Sequence, residues 1–518
     1  MGPCCAPAAT SATSSKRFRL AQVDFQTDID ATLRDAAPRE RTPPALWPIW
    51  RAALIGTCVS LCVAVIEFGL PALPSDARRA LEILLVAIIG WTLTPLDDTF
   101  VAIAAGLAMA LLVNRDSAAL FHALGDELIW LLLASFMLAA AFKASGVADR
   151  ILGLVTGRMR SVRTVAYSLT AVMIATAFIV PSTSGRAALM IPAYHAIAGR
   201  CGSARLRRAF ALLFPTVILL SAIASPVGAG AHLLAIEMVG RLSGVKVSYL
   251  EWIAFGLPFA VVSTFLSVEC LLRLFLSPAE RRMALLQPTT VNNAGAGLAR
   301  QPILWISGGV VIAWLTEPVH GLDATVIAVG GALLATLPQV GPVAFGDAIK
   351  SAEWKLLLFL AATICLADGL TASGLHRWLI ETMVVPLRGT GLGPLALVSL
   401  LALLGLFSHL VIHSRTARVS VLLPPALMLA STVRLDPLLA TLVLVSATGF
   451  CQTLMICAKP VALFGGVDDA GYGPKDLALL SSILLPVQFI LIVVFAVAAW
   501  PTIGAVLTTL DPQLPGTP

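Results

Sequence analysis

Charged residues are scarce in this chain of 518 residues. Lys, Arg, Asp and Glu together make up 12% of the sequence, whereas hydrophobic residues make up 58% and the mean hydropathy is +0.90. A typical soluble domain is about 25% charged. The scarcity of charge therefore excludes an ordinary soluble protein and indicates an integral, multi-pass membrane protein that contacts the lipid bilayer.

Sequence motifs of catalysis are absent as well. The sequence contains no Walker loop, no His-Glu-x-x-His pair, no Gly-x-Ser-x-Gly and no Rossmann Gly-x-Gly-x-x-Gly. Its nine cysteines are scattered, with neither metal-ligand spacing nor the pattern of a disulfide framework. We therefore predict that the chain is not an enzyme, has no cofactor or metal other than a coupling ion, and does not by itself use ATP.

The basic residues are concentrated in a few polar segments. The net charge is +6, and most of the positive charge lies in the N-terminal segment and in loops between apolar runs, such as residues 150–163 and 200–208. This distribution argues against a nucleic-acid partner, because loop Lys and Arg residues mark the cytoplasmic side of a membrane protein. It predicts a cytoplasmic N-terminus and a location in a bacterial inner membrane.

Apolar runs predict an all-α protein with about eleven transmembrane helices and two re-entrant hairpins. Several runs are shorter than the roughly 20 residues that a full crossing requires. The predicted organisation, in chain order, is a disordered cytoplasmic tail at 1–50, a first transmembrane repeat at 51–276, a polar cytoplasmic linker at 277–302 and a second transmembrane repeat at 303–510.

One polar stretch occurs twice, once in each predicted repeat. Residues 178–192 read FIVPSTSGRAALMIP, and residues 407–424 read FSHLVIHSRTARVSVLLP. Each copy lies in a predicted helical hairpin, at 165–198 and 394–429, whose arms are too short to cross a bilayer. Weak internal similarity is typical of inverted-repeat transporters. Superimposing the two stretches pairs Ser182 with Ser414, Thr183 with Arg415, Ser184 with Thr416, and Arg186 with Arg418.

The tip of each hairpin is a predicted anion-binding site. The second arm begins just after the tip, so its first N–H groups are unpaired and carry the positive end of the helix dipole. Ser182 and Ser414 are residue types that favour the N-cap position, and such helix starts bind anions. The predicted substrate-binding residues of the two tips are Ser182, Thr183, Ser184, Arg186, Ser414, Arg415, Thr416 and Arg418.

The three arginines have an alternative interpretation. A guanidinium at membrane depth costs at least about 2.5 kcal/mol, so each needs a compensating interaction. Snorkelling to the membrane surface would supply one, as would pairing with an acidic residue in the membrane, for which the candidates are Glu67, Glu237, Glu269 and Asp368. The equivalent positions of Arg186 and Arg418 in the two repeats favour substrate binding.

Two further apolar spans contain helix-breaking residues. Residues 225–232 read SPVGAGAH, and we expect them to unwind a helix at membrane depth. Backbone groups freed at such breaks bind ions and substrates in transporters. The second break is predicted at 457–460, where Lys459 either faces the substrate or reaches the cytoplasmic interface. The candidates for ion or proton coupling are Gly228, Gly230, His232 and His413, with packing as the alternative role of the histidines.

The two tips resemble those of the divalent anion/sodium symporter family. That family carries Ser-Asn-Thr at the tips of two re-entrant hairpins, followed about eight residues later by Pro, and the matching triplets here are residues 182–184 and 414–416. The form Pro181-Ser-Thr-Ser-Gly-Arg-Ala is similar to the Pro-Ser-Asn-Thr-Ala-Arg-Ala of the oxoglutarate/malate translocator branch. The resemblance extends from about Arg79 to the C-terminus.

This resemblance implies a secondary transporter of small divalent anions, with dicarboxylates as the first candidate substrates and sulfate as the second. It also implies a homodimer, and a moving part that holds the hairpins and carries the substrate by an elevator-like displacement. Sodium is the coupling ion that the family implies. An arsenite or citrate carrier of the wider superfamily stays open as an alternative, as does an anion-binding membrane receptor that does not transport.

Both copies of the motif depart from the family at its Asn. Thr183 stands at this position in the first tip and Arg415 in the second, where the family's Asn helps to form a sodium site. A fixed cation at Arg415 would repel sodium and substitute for its charge. We therefore hypothesise that sodium coupling is lost or weakened and that the protein works as an exchanger or a proton-coupled carrier.

Overall fold

Every regular element that the structure describes is a helix. The reason is physical, since a backbone surrounded by lipid must satisfy its N–H and C=O groups within the same segment. The computed structural model describes residues 49–71, 73–147, 150, 161–285, 301–379, 382, 393–455, 457–466 and 471–510. The predicted tail, apart from its last two residues, lies outside them, as do residues 286–300 of the predicted linker.

The chain divides into two units, residues 1–61 and 62–518. The described part of the first unit is the beginning of helix α1, Ile49–Gly69, and the features below concern the second unit. Its first half contains α2 Ser75–Leu93, α3 Asp98–Met109, α4 Ala119–Ala123, α5 Glu127–Ala144, α6 Val162–Thr176, α7 Thr183–Ala198, α8 Ala204–Leu220, α9 Gly230–Ser243 and α10 Tyr249–Phe275.

The rest of the described helices begin near the middle of the chain. They are α11 Pro278–Arg282, α12 Pro302–Leu315, α13 Glu317–His320, α14 Ala324–Ala335, α15 Phe345–Lys350, α16 Trp354–Ala372, α17 Leu375–Leu379, α18 Pro394–Phe407, α19 Arg415–Thr432, α20 Pro437–Gly449, α21 Lys459–Gly465, α22 Pro474–Val494 and α23 Trp500–Leu510. One turn of π-helix, Ala110–Asn114, continues α3, and another, Phe495–Ala499, joins α22 to α23.

Five helical segments in the described residues are long and apolar enough to cross a membrane. They are Glu127–Ala144, Ala204–Ala224, Tyr249–Phe275, Trp354–Ala372 and Pro474–Thr509. Seven further apolar helices have only 10–17 residues, and both first arms of the predicted hairpins are among them. The short helices agree with the apolar runs that fell below the length of a full crossing. The predicted all-α polytopic membrane protein is confirmed.

Helices of the first half of the chain pack against helices of the second half, and the equivalent helices of the two halves do so in the same way. Helix α3 of the first half packs against α16 of the second, and its counterpart α14 packs against α5. In the same way, α9 packs against α19, while α21 packs against α7. This reciprocity is the packing expected of two repeats related by a pseudo-two-fold axis.

Each predicted hairpin is present as two short helices joined by a non-helical tip. Helices α6 and α7 have 15 and 16 residues, and α18 and α19 have 14 and 18. At 1.5 Å per residue all four are shorter than the roughly 30 Å thickness of a hydrocarbon core. All four arms are therefore too short to cross a bilayer by themselves.

The two broken spans lie at the centre of the packing. All residues from Ala209 to Leu220 in α8 and from Leu438 to Gly449 in α20 are buried. A helix buried on all sides occupies the core of its protein. Because both helices stop at this depth, their last carbonyl groups end in the protein interior.

The first break follows the prediction closely. After α8, the chain forms two short 3₁₀ turns before α9 begins at Gly230. Gly228 permits this path, since a Cβ atom on it would lie 2.0 Å from the carbonyl oxygen of Ala222. In the second span the described residues 450–455 and 457–458 are non-helical. Lys459 and Pro460 therefore begin α21 and do not lie in the break, because Pro is favoured in the first turn of a helix.

Candidate functional site

A cavity of about 480 Å³ lies where the two hairpin tips meet the two helix breaks. It draws residues from both halves of the chain, as the repeated motif predicts. Of the residues predicted to form the site, those that line the cavity are Ser182, Thr183, Ser184, Gly230, His413, Ser414, Arg415, Thr416, Arg418 and Lys459. Three others do not line it, namely Arg186, Gly228 and His232.

Both tips present the N-terminus of a helix to the cavity. The Ser182 hydroxyl caps α7 by accepting a hydrogen bond of 3.2 Å from the backbone N–H of Gly185. The Ser414 hydroxyl caps α19 in the same way, through the N–H of Ala417 at 3.3 Å. The predicted N-caps are thus confirmed. Two helix dipoles therefore direct their positive ends at one cavity, an arrangement that favours an anion with two charged groups.

Arg418 is a buried cation without a protein partner in the described residues. None of its surface is exposed, and its Nε, Nη1 and Nη2 atoms all lack a hydrogen-bond partner. A buried, unpaired guanidinium is costly, and removing it from water is repaid only by an opposite charge or several acceptors. Because Arg418 lines the cavity, an anion bound there is the acceptor that the site lacks.

Arg186, the equivalent residue of the first hairpin, has a different environment. It is also fully buried, but all three of its guanidinium nitrogens donate hydrogen bonds. The acceptors are Thr176 Oγ1 at 3.0 Å, Met173 O at 2.6 Å, Ile218 O at 2.9 Å and Ser221 Oγ at 2.6 Å. In this structure Arg186 therefore ties its hairpin to the end of α8 and does not line the cavity, and its contact with substrate stays a prediction.

Arg415 reaches from the second tip to the ends of the broken helices. Its Nη2 atom donates to the carbonyl of Val445 in α20 at 3.1 Å, while Nε and Nη1 have no partner. A Cβ atom on Gly449, the last residue of α20, would lie 2.8 Å from Nη2 and 3.8 Å from the carbonyl oxygen of Leu219 in α8. The guanidinium thus lies at the carbonyl end of α20 and near that of α8, and such ends of broken helices are where transporters commonly hold a sodium ion.

Two residues predicted for coupling lie behind the first break. His232 is fully buried, its Nδ1 atom lies 3.1 Å from the carbonyl oxygen of Ser225, and its ring packs against Trp252. Gly228 has the backbone role described above. Neither residue lines the cavity, so in this structure both shape the break, and their part in ion or proton coupling stays a prediction.

His413 and Lys459 border the cavity and are exposed. His413 directly precedes the cap of α19, and Lys459 is the first residue of α21. Lys459 lines the same cavity as the two tips. This position favours contact with the substrate over a position at the cytoplasmic interface. Both residues are placed to meet a polar ligand at the mouth of the site.

The cavity also holds charged residues that were not predicted. They are Asp97 and Asp98 at the start of α3, with Glu353 and Lys355 at the start of α16. Glu353 accepts a hydrogen bond of 2.5 Å from the Ser182 hydroxyl, whereas Asp98 and Ser414 line the same cavity. Lys355 Nζ pairs with Asp97 Oδ2 at 2.6 Å. Acidic residues directly before apolar runs are the sequence signal that could have identified them.

The acids proposed as alternative partners of the tip arginines pair elsewhere. Glu67 pairs with Arg78 at 2.6 Å, Asp368 and Glu237 pair with Arg241, and Glu269 pairs with Arg163 and Arg273. Among the residues that the structure describes, these four acids therefore do not form salt bridges with Arg186, Arg415 or Arg418.

The chain matches a known family along most of its length. The model of the sodium:sulfate symporter transmembrane region covers residues 51–506. The chain belongs to this family. The predicted family is thereby confirmed, and membership identifies an integral membrane transporter of small anions and not an enzyme.

Curated relatives support the same assignment. Dicarboxylate transporter 1 of the spinach chloroplast is 27% identical over 76% of this chain and 72% of its own length. Dicarboxylate transporter 2.2 of the Arabidopsis thaliana chloroplast is 26% identical over 89% of this chain and 90% of its own length. The citrate/succinate antiporter of Escherichia coli K12 is 26% identical over 67% of this chain and 72% of its own length.

A solved structure supports the fold of this family member. The Alcanivorax borkumensis YdaH transporter superimposes with a TM-score of 0.55 over 83% of this chain and 99% of its own. Its sequence identity is 15%, so the likeness concerns the fold alone. It agrees with the helical polytopic architecture built above from the packing.

Proposed function

We propose that this protein transports a small dicarboxylate dianion by binding it in the cavity between the two hairpin tips. The observation that carries the proposal is Arg418, a fully buried guanidinium without a protein acceptor that lines the cavity. Hydroxyl groups of both tips surround the same space, and charge-assisted hydrogen bonds are the strong ones in such a site. The relatives named as dicarboxylate transporters and a citrate/succinate antiporter support the substrate class.

The geometry favours a dicarboxylate over sulfate. The two helix N-termini are separate donors contributed by the two repeats, and a dicarboxylate offers one carboxylate to each. Sulfate has a single centre of charge and would leave one tip without a ligand. The cavity of about 480 Å³ falls in the usual range of small-molecule sites, roughly 300–1,000 Å³.

The proposal includes exchange in place of sodium symport. The guanidinium of Arg415 lies near the carbonyl ends of α8 and α20, and its fixed charge supplies what a bound sodium ion would supply. A carrier with a permanent cation has no ion to release, so it returns across the membrane with a second anion. The proposal also includes a homodimer, the repeats at 51–276 and 303–510, and an elevator-like movement of the hairpins. It places the protein in a bacterial inner membrane with a cytoplasmic N-terminus.

Flux in proteoliposomes tests this function. Purified protein is reconstituted, and uptake of labelled succinate and labelled sulfate is measured with and without internal dicarboxylate and with and without a sodium gradient. We expect succinate uptake that requires internal dicarboxylate and ignores sodium. Binding without flux would favour a receptor. Flux of citrate or arsenite without flux of succinate would favour the other carriers of the superfamily.

Replacing Arg415 with Asn is expected to make uptake dependent on sodium. The Asn side chain offers a carbonyl oxygen and removes the competing cation beside the carbonyl of Val445. We expect sodium to stimulate the R415N variant by about fivefold or more, a coupling of ordinary size, and to leave the wild type unchanged. Initial rates in sodium and in potassium buffers measure this. R415K keeps the charge and serves as the control, and equal rates of R415N in both buffers would contradict the substitution of sodium by Arg415.

A further inference from the structure

The capping serine of the first hairpin tip already binds a carboxylate of the protein. The Ser182 hydroxyl donates to Glu353 Oε1 at 2.5 Å, across 171 residues of sequence. Glu353 is the N-cap residue of α16, a helix outside the hairpins. At the second tip, Asp98 in the first turn of α3 lines the cavity together with Ser414.

A serine hydroxyl has a single proton and can donate only one hydrogen bond at a time. Ser182 cannot donate to Glu353 and to a substrate carboxylate together. We propose that Glu353 is an internal competitor that occupies one carboxylate position of the cavity, that Asp98 opposes the substrate at the second tip through its charge, and that the two residues set the affinity for substrate. This inference rests on the proposed function, since it assigns the competitor of the same ligand.

The charges of the cavity support this assignment. Four Lys and Arg residues line it, and three acidic residues face them, namely Asp97, Asp98 and Glu353. Asp97 is neutralised by Lys355 at 2.6 Å. Glu353 and Asp98 are the other two carboxylates of this lining. Both stay in the protein when a dianion enters, and their charge repels it, which adds to the competition for the hydroxyl of Ser182.

Replacing Glu353 with Gln tests the competition. Glutamine keeps the shape of the side chain but offers a neutral acceptor, and a hydrogen bond to a neutral acceptor is about half as strong. We expect the Kd for succinate to fall by about fivefold to tenfold in E353Q. Isothermal titration of the purified full-length protein measures Kd, and proteoliposome assays should show the change in KM and not in the maximal rate. D98N should act in the same direction at the second tip.

The matched control is D97N. It removes the same charge from the same cavity and releases Lys355, but it frees no capping serine, because Asp97 pairs with Lys355. We expect its Kd to fall by about twofold, less than in E353Q, because only an exposed ion pair is lost. The S182A background supplies the second control, since without the hydroxyl the gain from E353Q should disappear.

Three results would overturn the inference. They are a gain in D97N equal to that in E353Q, a gain in E353Q that persists with S182A, and unchanged or weaker binding in both E353Q and D98N while wild type binds succinate. Failure of the wild type to bind or transport succinate would overturn the proposed function, and the inference with it. The wild-type measurement thus separates the two failures.

Discussion

Replacing Arg418 with Met is expected to abolish transport while the protein stays folded. The guanidinium of Arg418 makes no hydrogen bond in the described structure and is fully buried, so methionine of similar length removes a costly charge and breaks no side-chain hydrogen bond. Truncating one member of a buried charge pair in a binding site costs about 2–5 kcal/mol. The affinity for succinate should therefore fall by at least about a hundredfold, which corresponds to roughly 2.7 kcal/mol.

Two measurements on the same R418M preparation check this expectation. Thermal unfolding without ligand should give a melting temperature equal to or above that of the wild type. Titration with succinate should show no binding at concentrations that saturate the wild type, and uptake should be at background. R418K tests the need for the forked guanidinium, because lysine keeps the charge but loses bidentate contacts. A variant R418M that binds succinate normally would contradict the assigned role.

Replacing Arg186 with Met is expected to destabilise the protein, in contrast to R418M, which should keep its stability. Arg186 donates four hydrogen bonds, two within its hairpin and two to Ile218 and Ser221 at the end of α8. Its removal takes the Arg186 donor from the buried carbonyl of Ile218 and hydroxyl of Ser221, and buried polar groups left unpaired cost about 1–3 kcal/mol each. We expect the free energy of unfolding to fall by about 3 kcal/mol or more.

Thermal unfolding of R186M in detergent, beside R418M, measures this loss. The two variants make the same chemical change at equivalent positions of the two repeats, so each controls for the other. We expect R186M to lower the stability of the protein and R418M to abolish substrate binding. Equal stability of R186M and R418M would show that the hydrogen bonds of Arg186 do not hold the hairpin.

The features predictable from sequence were those that depend on neighbouring residues. The caps at Ser182 and Ser414, the short arms of both hairpins and the break beside Gly228 follow from local rules on N-caps, helix length and helix breakers. The family could also be predicted from the two hairpin tips alone, because residues 182–186 and 414–418 carry similar residue types at the same spacing. In each case the decisive interaction lies within a few residues of the motif.

The different environments of Arg186 and Arg418 could not be predicted in this way. The repeat makes the two residues equivalent, but the acceptors around Arg186 include Ile218 and Ser221, which are more than thirty positions away. No local rule says whether an equivalent set faces Arg418. Asp98 and Glu353 were missed for a similar reason, because the cavity brings them together with the tips from opposite halves of the chain.

A cryo-electron microscopy map of the protein with succinate tests the central claim most directly. The account predicts density for the ligand between the two tips, with a carboxylate on the guanidinium of Arg418, the hydroxyl of Ser182 turned from Glu353 to the ligand and the hydroxyl of Ser414 directed at the ligand. Arg186 should keep its contacts with α8. Succinate bound elsewhere, or Arg418 paired with a protein group while the ligand is present, would contradict the account.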